Sequence, residues 1–154
     1  MIASLILGAA LLAQPATGDT RADFISLCVE TRAQPDAVRR VLLQQTGWEP
    51  AAGAEGLTIW RRTTGEQVQT LTLGRRDVGG APKDICSIQL APGNAALSDG
   101  FPAGLGPVTG EINAEANLYF VAASGEAVTA GDFDFVAFSH GEDVTTLILL
   151  HPVR

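Results

Sequence analysis

At 154 residues the chain has the size of one domain, long enough to enclose a single apolar core. Ten Lys and Arg stand against 17 Asp and Glu, a formal net charge of −7, and residues 111–154 hold only Arg154 against seven carboxylates. Binding to a phosphate backbone is driven by counterion release onto clustered basic side chains, so this balance argues against a nucleic-acid partner.

The first segment, Ile2–Ala13, is uncharged and almost wholly apolar, and the small residues Ala16, Thr17 and Gly18 follow it. Its length is that of a signal-peptide core, although only the α-amino group supplies charge ahead of it. We read residues 1–18 as a signal peptide, cleaved after Ala13, Ala16 or Gly18, with a buried helix of the fold as the alternative. The run stops at Gln14-Pro15, short of the ~20 apolar residues a membrane span needs, so no permanent membrane anchor is expected. Residues 19–154 are then one exported domain, periplasmic or secreted.

Asp19 or Thr20 can cap a first helix near 21–32, where Phe24, Leu27, Cys28 and Thr31 recur at steps of three and four and face a core. Pro35 and Asp36 suit the first turn of a second helix with Val38, Val41, Leu42 and Gln45 inward, and Gly47 ends it before Trp48. From Leu57 the period drops to two. Leu57–Arg62 and Val68–Leu73 read as a β-hairpin around Thr64-Gly65-Glu66, and Ile85–Leu90 as a third strand with Cys86, Ile88 and Leu90 on one face.

Cys28 and Cys86 are the only cysteines, lack C-x-x-C spacing and follow an export leader, so we expect them to form a disulfide joining helix to sheet. Residues 91–110 carry five glycines and three prolines around a short helix capped at Asn94 and form the least regular part. Strands at 118–123, 132–138 and 144–150 follow, the last two flanking the loop Ser139-His140-Gly141-Glu142-Asp143. The pattern predicts an α+β fold, with two N-terminal helices packed on one face of an antiparallel sheet of about five to six strands.

Motifs that carry chemistry are thin. Gly104, Gly106 and Gly110 miss the G-x-G-x-x-G spacing by one residue and read as turn positions, and no cofactor is expected. Ala137-Phe138-Ser139-His140-Gly141 resembles the nucleophile elbow of α/β-hydrolases, with Asp143 and His151 in that family's order. An elbow requires a strand turning into a helix, whereas Val144 onward is strand-like. A metal site drawn from Asp132, Asp134, His140, Glu142 and Asp143 would have to bridge about 20 Å of strand at ~3.3 Å per residue, so solvated carboxylates are the better reading. The pairs Arg39-Arg40, Arg61-Arg62 and Arg75-Arg76 invite an anion contact, for which Arg62 and Arg76 are the candidates.

The arrangement Phe24, Cys28, Pro35-Asp36-Ala37, Gly47-Trp48 and Cys86 resembles an uncharacterised family of small exported Gram-negative proteins, over the N-terminal half of the mature chain. That resemblance implies the compartment and the cysteine pair, and no functional residue. The expected function is a non-catalytic one: binding another envelope macromolecule, as an inhibitor or accessory protein, through the acidic loop around His140, Glu142 and Asp143 or through residues 91–110. A basic envelope protein is the partner such a loop would suit. Two alternatives stand: a small envelope hydrolase using Ser139, Asp143 and His151, or a carrier with an apolar pocket between helix and sheet and a few inward polar groups.

Overall fold

Alternation of inward apolar and outward polar side chains runs much further along the chain than the sequence reading allowed, and it builds one large sheet. The computed structural model describes residues 19–154. Eight antiparallel strands make up the sheet: β1 (Glu49–Ala51), β2 (Leu57–Thr64), β3 (Gln67–Val78), β4 (Ala81–Ala91), β5 (Val108–Asn113), β6 (Leu118–Ala122), β7 (Asp134–His140) and β8 (Thr145–Pro152). They lie in the order β1-β2-β3-β4-β8-β7-β6-β5. Two four-stranded meanders are thus joined where β8 pairs with β4, Cys86 opposite Leu149 and Ile88 opposite Leu147.

This corrects the expected two-helix cover on five to six strands. The helices are few and short: α1 (Thr20–Phe24), α2 (Pro35–Leu42) and α3 (Gly125–Thr129), with a π-helical continuation of α1 over Ile25–Val29 and a 3-10 turn over Ala95–Ser98. Edge strands β1 and β5 were not expected; the first contains Pro50, and the second has exposed Glu111, Ile112 and Asn113 with a bulge between Glu111 and Asn113. Polar, proline-containing and bulged edges keep a sheet from adding strands, and the same features hide them from a search for period two. The β3–β4 hairpin also reaches further than its apolar centre. It closes at Gly79-Gly80, both at positive φ (64° and 80°), the conformation a two-residue type I′ turn demands.

Asp19 accepts from the backbone N–H of Arg21 and Ala22 and so caps α1. The helix then widens: the Glu30 N–H donates to the Ile25 carbonyl and the Ala33 N–H to the Cys28 carbonyl, one residue further than in an α-helix. Arg32 (φ 53°) and Ala33 (φ 57°) turn the chain out in the left-handed region without a glycine. This places Phe24, Leu27 and Cys28 in full burial against Leu71, Leu73, Cys86, Ile88, Leu147 and Leu149. The bridge between Cys28 and Cys86 is formed, with Cα atoms 5.4 Å apart.

The crossover from β4 to β5 covers the half of the sheet that the helices leave. It sends Leu105 into the core, and its Phe101 ring meets Tyr119 and Phe138 edge-on at 6.5 and 6.0 Å. On the opposite sheet face Thr72, Ile85, Ala137, Phe135, Ile148 and Leu150 are only half-buried. Among the described residues no helix is long and apolar enough to cross a membrane. The expected signal peptide, residues 1–18, lies outside the described residues.

Candidate functional site

A cavity of about 450 Å³ opens at the seam between the two covers, where the π-helical segment faces the crossover above β6. Its apolar walls are Ile25, Val29, Leu105, Pro107, Val121 and Ala122, and three charged residues reach it: Glu30, Arg32 and Asp134. Gly104 and Gly106, read from sequence as turn positions, belong to its wall. A Cβ on Gly106 would come within 2.6 Å of Val121 Cγ1, so the crossover passes as close to β6 as it does only because that residue is a glycine.

Register explains the charged group. Asp134 opens β7 on the same face as Val136 and Phe138, so its carboxylate points to the helix side and is buried, with 4% of the side chain exposed. A buried carboxylate needs donors. Arg32 supplies them in a fork, Nε to Oδ2 at 3.0 Å and Nη2 to Oδ1 at 3.1 Å, while His151 Nδ1 lies 2.7 Å from Oδ1. The carboxylate can only accept, so the His151 proton sits on Nδ1. Arg32 Nη2 also donates to Asp132 Oδ1 at 2.8 Å.

The bonds to Asp134 and then Asp132 hold the Arg32 guanidinium above its ordinary value, and the bond from Arg32 holds the Asp132 carboxyl below the usual carboxylate range. A depressed carboxyl stabilises the fold above its unfolded-chain value and loses that contribution as pH falls through its lower folded value. The expected result is a melting temperature that declines below about pH 4, the ordinary Asp range, with a shallower decline in Asp132→Asn. Thermal melts of the two proteins from pH 7 to pH 2 check it, and parallel curves would discard the assignment.

A second, shallower recess on the other side of Arg32 is lined by Arg75, Asp84, Asp132, His151 and Arg154. Its charges are already matched: Arg75 with Asp84 at 2.8 Å, Arg154 with Asp132 at 3.6 Å. It is an ion-pair ladder along one end of the sheet, in which each Arg has a carboxylate partner.

The residues singled out from sequence are spread over the molecule. His140 Nδ1 lies 2.9 Å from Thr145 Oγ1 at the end of β7, and Glu142 and Asp143 are exposed on the turn beyond it. That turn is fixed by the Gly93 N–H, which donates to the Glu142 carbonyl at 3.2 Å. Arg62 is turned inward, donating to Asp23 and to Gln69 Oε1, with its guanidinium 4.6 Å from the Trp48 ring. Arg76 is exposed at the other end of the β2–β3 hairpin and donates to the Arg75 and Glu55 carbonyls. Ser139 lies opposite Thr146, five residues or about 17 Å along β8 from His151, so Ser139, Asp143 and His151 do not form a triad. Asp132 and Asp134 sit at the opposite end of β7 from His140, and among the described residues no group of three His, Cys, Asp or Glu converges as ion ligands.

No family model, curated protein or solved structure matches the chain. Function has therefore to be read from the chemistry of the site. Sequence reasoning passed over Arg32 and weighed His151 only as a partner of Ser139 and Asp143. A signal was present for their partner: Asp134 falls in the inward register of an otherwise apolar strand, and a carboxylate there requires a cation.

Proposed function

We propose that the chain is an exported binding protein, periplasmic or secreted, that holds a small and mainly apolar ligand in the recess between the π-helical segment and the crossover, without transforming it. The observation that carries this reading is the recess itself: about 450 Å³, within the usual range of small-molecule sites, apolar in its walls and with polar groups limited to Glu30, Arg32 and Asp134. Two local features support it. A π-helical turn and a pair of non-glycine residues in the left-handed region are uncommon conformations, and both border this cavity. The disulfide suits an oxidising compartment.

The test is titration with an environment-sensitive apolar dye, on the wild type and on variants that fill or spare the recess. Val121→Trp and the milder Val29→Phe are expected to weaken dye binding about tenfold or more, a loss of ~1.4 kcal/mol. Ile148→Ser, on the opposite sheet face, is expected to leave it unchanged. Binding that survives both filling variants and disappears in Ile148→Ser would overturn the reading. Capture from envelope extract of a protein partner that is released by salt would instead favour the exposed carboxylates Glu142 and Asp143 as the working surface.

A further inference from the structure

The charges around the recess are unequal in their availability. Asp134 is saturated by Arg32 and His151, and Arg32 is in turn committed to Asp134 and Asp132 through Nε and Nη2. Arg154 balances part of Asp132 from outside. Arg21, whose guanidinium passes beside Gly104, is spent on the Asp99 and Ala103 carbonyls and the Phe101 ring and is not among the lining side chains. Glu30 differs from all of these. It is exposed at the rim, and among the described residues its carboxylate has neither an ion-pair nor a hydrogen-bond partner.

Resting on the binding reading above, we infer that the recess selects ligands with an apolar body and a cationic nitrogen, the nitrogen meeting Glu30 at the rim. An entering anion would face the carboxylates Glu30 and Asp134, with Nε and Nη2 of Arg32 already used and only its Nη1 unengaged. An entering ammonium pairs with the one lining side chain whose charge has no partner among the described residues. Low-dielectric walls on one side of Glu30 strengthen that attraction relative to a carboxylate in open water. The chain's net charge of −7 adds a weak, salt-screened bias in the same direction.

Octylamine, octanol and octanoate share one apolar chain and differ only in the end group, so competition of each against the dye isolates the charge. The amine is expected to bind about tenfold or more tightly than the carboxylate at low salt, with the alcohol between them. Glu30→Gln, a change at an exposed position, is expected to weaken the amine by about fivefold, the scale of a partly exposed ion pair, and to leave the alcohol unchanged. Equal binding of all three, or a preference for octanoate, would overturn the charge inference and leave the recess reading standing. Failure of all three to displace the dye from wild type, or displacement unaffected by Val121→Trp, would overturn both.

Discussion

Replacing Cys28 and Cys86 together with alanine is expected to lower the unfolding free energy by about 4 kcal/mol, the chain-entropy value for a bridge across 58 residues. A domain of this size typically holds ~5–15 kcal/mol in total, so the variant should unfold at a much lower denaturant midpoint or be partly unfolded at 37 °C. The effect is large because the bridge ties α1's continuation to β4, one of the two central strands of the sheet. Both cysteines are fully buried there, and Leu27, Ile88 and Leu149 belong to the same core. Guanidinium titrations of the wild type and the double variant measure the difference. A loss below ~1 kcal/mol would mean that apolar packing alone holds the α-segment to the sheet.

Asp23→Ala is expected to cost about 3–5 kcal/mol, the penalty for stranding one member of a buried ion pair. Arg62 reaches from β2 beneath Trp48 to Asp23 on α1, and the two side chains are each 11% exposed. With the carboxylate gone, the guanidinium keeps Gln69 Oε1 as its one hydrogen-bond acceptor beside the Trp48 ring, while Gln69 Nε2 keeps Thr20 Oγ1 at 2.7 Å. The companion Asp23→Leu/Arg62→Met removes both charges and is expected to recover most of the loss, since an apolar pair of similar volume replaces an ion pair at little net cost. A double variant as unstable as Asp23→Ala would show that shape at this contact outweighs the stranded charge.

How much of this was legible before folding follows from how local each feature is. The stripe Phe24, Leu27, Cys28, Thr31 and the alternation of Cys86, Ile88 and Leu90 are properties of short windows, and together they located the bridge. Arg62 was read as a surface anion contact because its inward turn depends on Asp23, 39 residues away. β1 and β5 escaped notice because edge strands carry little apolar alternation of their own. The π-helical widening leads into a left-handed exit at Arg32 and Ala33, a conformation for which L-residues give no propensity signal. The recess was the least accessible, since residues 25–32, 104–107, 121–123 and 134 become neighbours only once two meanders share a sheet.

The strand order has a consequence for biogenesis. β8, the last of the eight strands in chain order, is the inner strand that closes the gap between β4 and β7. Residues 19–91 already contain both sulfurs and a complete four-strand unit, so the covalent link can form early. The free flank of β4 must then wait, unpaired, for the final segment to arrive. Partly folded chains would be exposed to wrong edge-to-edge pairing through that interval, and a chain lacking residues 145–152 would have two half-sheets with no strand-ladder hydrogen bonds between them.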